Sequence, residues 1–428
     1  MTTLPDANGL HGYWPSRWPA EDGGPQRRQV PCSGRGLGLR PGERLKVTSR
    51  DAMAATMVVL REPGEIFLLR HTAGDAAMSW VERIHPETLD VQARSDDLAG
   101  GPTWPGGLGA HANGSLYVVF GNHAHRVDAN LTVVATRELP RARPYNSFVV
   151  LPDGYLATKD FAGNLPGRDP ALHVPEPSEL LILEPDRLEI VASLTLPEPS
   201  IARLSADGDT VYVVGDTSLL RATWNGRELD LDRDFRARYR INDGQTYGWD
   251  AVLAAGAAWF LDDGEGSERY AGTFRGRGIS DDPLHLVRVD LGTGAVSLTE
   301  VCGAAGGLIA NPPAVDADRG IAVGYDSANG VMTAFDVDDR GVGPRRWRRE
   351  QDHACHPVLF PDTGELVTCD HDPERMMDQL VVLDVETGDE QARVDTGSPV
   401  QSVVFPAPGF DRDVYYCSFT TVARVHVV

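Results

Sequence analysis

Seven side chains able to move protons or ligate metals crowd into one short stretch of this chain: His353, Cys355, His356, Cys369, Asp370, His371 and Asp372. Histidine titrates near neutrality, and a carboxylate beside it can hold its tautomer, as general acid and base catalysis requires. The pairs that suit this role are His356 or His371 with Asp370 or the more distant Asp250. Histidine and cysteine are also transition-metal ligands. Folding the segment about Thr363 brings Cys355 opposite His371 and Cys369 near His356. Their spacing matches no zinc finger or ribbon, and strand alternation sends neighbouring side chains to opposite faces, so not all can meet one ion.

The element that must position these groups runs from Asp352 to Thr396. It contains four short apolar runs, with turn residues Pro361, Asp362, Thr363 and Gly364 between the first two and Glu386, Thr387 and Gly388 between the last two. That pattern predicts a four-stranded antiparallel meander. Its first hairpin recurs eight times, as MVVLREPGEIFLLRH, LGAHANGSLYVVFGNH, SFVVLPDGYLATKDF and onward to SVVFPAPGFDRDVYYCSF. The repeat of roughly 45 to 50 residues is that of propeller blades. The sequence therefore predicts an all-β, eight-bladed β-propeller of four-stranded antiparallel blades. The last copy stops after ARVHVV, one strand short, and ERLKVTSR at residues 43–50 is positioned to supply the missing strand and close the ring. Residues 43–428 form one propeller domain on this reading. Residues 1–42 form a Pro/Gly-rich arm whose Trp14 and Trp18 pack on the ring or across one mouth, or cover a central pocket.

Aligning the blades on their first turns compares positions around the ring. At the ends of the second strands stand Asn122, Asp160, Asp216, Asp262 or Asp263, Asp326 and His371, a mostly acidic circle. Such residues also cap tight turns. As a metal site, Asp160, Asp216 and Asp326 with His353 offer mainly oxygen ligands, suited to calcium or magnesium more than to zinc, iron or copper. At the starts of the innermost strands stand Tyr145 and Asn146, Trp249 and Asp250, Asn311, His353 with Cys355 and His356, and Gln401. With Tyr325, the groups Tyr145, Asn146, Trp249, Asn311 and Gln401 are the expected substrate contacts. Two insertions, AGNLPGRDPALHVPEP and GEGSERYAGTFRGRGISDDP, fall between the hairpins of blades three and five and overhang the same mouth.

A net charge of −22 argues against nucleic acid and anionic membrane surfaces as partners. No apolar run approaches the roughly 20 residues of a spanning helix. The N-terminus lacks the basic start and apolar core of a secretory signal, and five scattered cysteines suit reduced thiols. A monomeric cytoplasmic protein is expected. No serine nucleophile elbow, Walker loop or dinucleotide fingerprint occurs.

The second-hairpin turns VDLGTG and LDVETG resemble those of quinoprotein-like and YVTN-type propellers. Quinoprotein alcohol dehydrogenases are similar in their eight blades, but usually add a docking tryptophan after the glycine, where this chain has GAVSL and GDEQA, and they are exported. Pyrroloquinoline quinone is therefore not expected. Asn146, Asp250 and Asn311 resemble the calcium ligands of gluconolactonase-like propellers. The sequence favours a small-molecule hydrolase, lyase or isomerase working in the channel mouth by His/Asp acid–base chemistry, with a divalent cation or a cationic substrate drawn by the acidic ring. The alternatives are a non-catalytic binding or scaffold propeller and a histidine-ligated metal oxidase.

Overall fold

The computed structural model describes residues 10–169, 171 and 173–428. The start of the arm, on which the expectation of no secretory signal rests, and two positions of the blade-three insertion lie outside them. The described chain forms eight antiparallel sheets, seven with their four blade strands in sequence order from the channel outward and the eighth completed by an N-terminal strand. The innermost strands begin at Ala55, Gly107, Tyr145, Ser205, Val252, Ala314, Val358 and Ala407. Inner strands such as Ala55–Leu60 and Tyr145–Val150 are buried along their length, because neighbouring blades cover both faces. Outermost strands such as Val133–Glu138 alternate between half-buried and exposed, with one face in solvent.

The eighth blade closes as the sequence implies. The strand Leu45–Asp51 pairs antiparallel with Thr421–Val427, from Leu45 opposite Val427 to Asp51 opposite Thr421. Blade one carries a strand that the repeat does not announce: Leu98–Gly101 pairs with the Ala77–Ser79 end of the third strand, whose other end pairs the fourth. The second-hairpin turns owe their repeated aspartate to capping. Asp384 Oδ1 accepts the amides of Glu386 and Thr387 at 2.8 and 3.0 Å, and Asp290 Oδ1 does the same for Gly292 and Thr293 at 3.1 and 2.8 Å. The glycine that follows sits at φ 74° in one turn and 73° in the other, which only glycine adopts without steric cost.

The arm does not lie on the outside of the ring. Its backbone runs around the lower mouth, where the innermost strands end. The carbonyls of Trp18, Pro19, Pro25, Gln26 and Gln29 accept from the amides of Leu60, Ala110, Ala206, Leu253 and Leu359 at 2.7–2.9 Å. Those amides lie on inner sheet edges that would otherwise face the channel unpaired. Turning through this path puts Asp22, Arg27 and Gln29 in the left-handed region, at φ 52°, 52° and 60°. Each costs about 1–2 kcal/mol of local strain, held by the side-chain contacts described next.

Candidate functional site

The two ends of the channel differ. From below, the arm drives Glu21, Asp22 and Arg27 into the axis, all buried. Arg27 donates from Nη1 to Asp22 Oδ2 (3.0 Å), from Nη2 to Glu21 Oε2 (2.9 Å) and Ser147 Oγ (2.6 Å), and from Nε to the Leu204 carbonyl (2.8 Å). Above them Asp250 accepts the Arg203 amide at 2.6 Å and faces its guanidinium at 3.5 Å. Asp22 Oδ1 accepts from His356 Nδ1 at 2.8 Å, leaving the imidazole's Nε2 buried without a partner. Burial holds His356 below its ordinary value despite the attraction of Asp22, so the ring is neutral and donates its Nδ1 proton. Burial works against ionised Asp22, but His356 and Arg27 outweigh it and hold the carboxyl below its ordinary value. Burial pushes Glu21 up even against Arg27 and Arg203.

The upper mouth opens into a bowl of about 340 Å³. One wall is aromatic: Trp104 stacks on Phe161 at 4.4 Å and on Trp249 at 6.0 Å. The facing wall is the cluster of Tyr270, which meets Phe274 at 5.3 Å and Phe419 at 5.8 Å. The blade-five insertion supplies Tyr270 and Phe274, and that of blade three contributes Pro166 to the lining, so both insertions reach the mouth that the alignment assigned to them. Arg203 and Asn311 line the bowl. Arg203 lies over the Phe405 ring at 4.8 Å, donates to the Pro105 carbonyl at 3.2 Å, and turns its Nε toward Glu21 Oε2 at 3.5 Å. His71 also lines the bowl. Its Nδ1 faces the Thr72 carbonyl at 2.7 Å and so carries the proton, which leaves the Nε2 lone pair buried and unpartnered. Burial lowers its pKa, and the imidazole is neutral at pH 7.

The sequence-predicted residues divide among these places. Trp249 and Asn311 line the bowl, with Asn311 Nδ2 held by the carbonyls of Ala354 and Val403. Asp250 and His356 belong to the channel plug. Gln401 anchors the blade-five insertion, accepting the Phe274 amide at 2.8 Å and donating to the Asp352 carbonyl at 3.0 Å. Asn146 is buried and donates to the Ile201 carbonyl at 3.0 Å. Tyr145 and Tyr325 do not line the bowl. Tyr145 is buried, paired across the strands with Asp160, and Tyr325 donates to the Pro312 carbonyl at 3.2 Å with its ring against His353. Asp370 is bound by the Asp352 amide and by Arg393, both at 2.8 Å, away from the channel. His371 is 3.9 Å from Asp378, behind blade seven's inner strand. The acid and base expected of Asp250 or Asp370 with His356 or His371 therefore do not gather in the open mouth.

The acidic ring is a set of caps and ion pairs. Asp160 is paired with Arg141 and Arg143 at 3.3 and 3.1 Å, Asp216 with Arg240 at 3.0 Å, and Asp326 accepts the amides of Leu308, Ala328 and Asn329. The expectation that Asp160, Asp216, Asp326 and His353 form one metal site fails for this reason. Among the described residues, two other groups place metal-ligating atoms within 4.8 Å of one another: Asp22, Asp250 and His356, and His353, Cys355 and Cys369. In the first, Arg27 and Arg203 already compensate both carboxylates. The hairpin pairs Val358 with Val367, and Cys369 Sγ comes to 3.6 Å from His353 Nδ1 instead of reaching His356.

Sequence reasoning missed His71, Trp104 and Arg203 in the bowl and Glu21, Asp22 and Arg27 beneath it. His71 ends the second strand of blade one and Arg203 precedes the inner strand of blade four, so the blade alignment held a signal for both.

No family model and no curated protein matches this sequence. Among solved structures, BamB from Moraxella catarrhalis is 12% identical, covers 88% of this chain and 100% of its own, and superposes with a TM-score of 0.57. A europium-containing methanol dehydrogenase is 10% identical, covers 94% and 89%, and has a TM-score of 0.59. A streptogramin B lyase is 10% identical over 74% and 91%, at a TM-score of 0.45. The first two share the fold seen here: this chain is an eight-bladed propeller, and the likeness extends to fold alone. The bowl does not fit pyrroloquinoline quinone. That cofactor is a tricarboxylate, whereas the bowl lining carries one guanidinium, Arg203, together with the carboxylate of Glu268.

Proposed function

We propose that the bowl is the active site of a small-molecule enzyme that moves a proton next to a polarised oxygen, in lyase or isomerase chemistry. The observation that carries this reading is the lining. The Arg203 guanidinium and the neutral imidazole of His71, whose buried Nε2 has no partner, border one aromatic-walled cavity. The cavity is at the small end of the range for ligand sites.

A flat or apolar substrate body fits between Trp104 and Trp249 on one side and Tyr270 and Phe274 on the other. Its carboxylate or carbonyl oxygen accepts from Arg203. His71 Nε2 takes the proton from the adjacent carbon, the electron pair moves toward that oxygen, and Arg203 stabilises the charge that develops. Return of the proton elsewhere gives an isomer, and expulsion of a β-substituent gives elimination. The substrate is thus oxygen-bearing and neutral or anionic. The cationic substrate expected from the acidic ring loses its basis, because those acids are taken up by caps and arginines.

The test is proton exchange. The protein is incubated in deuterium oxide with a panel of aryl-substituted carboxylic acids and ketones, and deuterium uptake is followed by mass spectrometry. Uptake should fall at least 100-fold in His71→Gln, with ligand binding, read as tryptophan quenching, kept. Arg203→Met should lose binding. Exchange undiminished in His71→Gln, or no quenching by any member of the panel, would overturn the reading.

A further inference from the structure

Blade seven contains a second constellation, separate from the bowl. Its inner strand is preceded by His353 and Cys355, and the facing strand Glu365–Asp372 brings Cys369 beside them. All three side chains have no exposed surface. Cys369 Sγ accepts the backbone amides of Ala354 at 3.2 Å and Cys355 at 3.3 Å, and lies 3.6 Å from His353 Nδ1. His353 Nε2 is buried without a hydrogen-bond partner.

Buried cysteine is ordinarily a small apolar side chain. Two features separate this pair from that role. Two amides aimed at one sulfur favour a thiolate and are of little use to a neutral thiol. A buried thiolate also requires a cation close by, yet among the described residues no lysine or arginine is hydrogen-bonded to Cys355, Cys369 or neighbouring Asp378. A sulfur and a nitrogen sharing a tetrahedral zinc at about 2.3 and 2.0 Å stand about 3.6 Å apart. That is the separation found here.

We propose that His353, Cys355 and Cys369 bind a thiophilic d10 metal ion, zinc(II) or copper(I). Binding releases the thiol protons and places the missing positive charge between the sulfurs. The ion takes the place of the Cys369 amide as the partner of His353 Nδ1. With no open face, the site is structural. It ties the start of the innermost strand of blade seven to its second strand, next to Ala354, whose carbonyl holds Asn311 at the bowl.

Full-length protein purified without chelator is analysed for zinc and copper, then stripped under mild denaturant, refolded and loaded with cobalt(II). Equimolar zinc or copper, with thiolate-to-cobalt charge-transfer absorption in the loaded protein, is expected, and which metal is present distinguishes the two ions. Cys369→Ser should lose metal and absorption together, while His356→Gln, which alters the channel group, should keep both. The cobalt spectrum of the unaltered chain reports sulfur ligation even where the cysteine variant does not fold. Absence of metal with no uptake of zinc, copper(I) or cobalt, a Cys355–Cys369 disulfide found by thiol titration, or metal retained in Cys369→Ser would each overturn the proposal.

Discussion

Replacing Arg27 by alanine tests how the channel is filled. The guanidinium is 1% exposed and makes four hydrogen bonds, two of them to carboxylates that are themselves 4% and 2% exposed. Removing one member of a buried ion network costs about 3–5 kcal/mol, because the remaining charges stay in the low-dielectric interior. Spread over a chain of 428 residues, whose unfolding entropy is about 0.9 kcal/mol per degree, this lowers Tm by only about 3–6 °C. A local readout is therefore sharper. The amides of Leu60, Ala110, Ala206, Leu253 and Leu359 are bonded to arm carbonyls and should exchange with deuterium together, faster than in the unaltered chain by the same factor, as the arm lifts off. Limited proteolysis should then cut between residues 10 and 42. If uncompensated charge is the cause, the triple variant Glu21→Gln, Asp22→Asn, Arg27→Met should be less damaged than Arg27→Ala alone. Unchanged exchange at the five amides would refute the view that the network locks the arm. A triple variant as damaged as the single one would show that lost packing dominates.

Other consequences follow from particular contacts. Asp263 is pushed up to about 8, first by burial and then by Asp262 and Asp326, and its Oδ2 has no partner. A carboxyl raised in the folded state contributes stability below its ordinary 3.8 that is lost as pH rises through about 8. Asp263→Asn should therefore match the unaltered protein near pH 4 and melt higher than it near pH 9, by a few kcal/mol at most; asparagine also suits the φ of 61° at this position. A pH-independent difference in Tm would contradict this. Gly107→Ala brings a Cβ to 2.2 Å from Glu21 Oε1 and should cost about 1–3 kcal/mol in denaturant melts, whereas Gly292→Ala, with its nearest neighbour at 3.4 Å, should be close to neutral.

The blades were legible because each carries its own local chemistry. Turn residues at fixed offsets, apolar runs on inner strands and alternation on outer ones repeat with every copy, and the missing strand of the last copy pointed to Leu45–Asp51. The same local chemistry misled at the site. Aspartate recurs at the ends of second strands because amides and arginines there need an acceptor, and a ring of caps reads in sequence like a ring of ligands. Cysteine and histidine positions in blade seven were misjudged for a related reason. The regular inner strand begins only at Val358, so the irregular segment before it does not follow hairpin register, and Cys369 meets His353 instead of His356.

The arm was the least legible part, since neither helical nor strand periodicity governs it. Its course is set by eight-fold geometry: a single extended chain must offer carbonyls to successive inner edges while turning, and proline, glycine and left-handed residues meet that need without an amphipathic pattern. The acidic pair it inserts changes what the channel can do. Glu21 and Asp22 draw Arg27 into the axis, and Glu21 and Asp250 both face the Arg203 guanidinium from below at 3.5 Å. Arg203 therefore reaches the bowl with its charge matched beneath it and its orientation fixed, the preorganisation that the proposed reaction requires. In this ring the arm supplies the charge beneath Arg203, so the chain itself sets the electrostatics of the channel from the lower mouth.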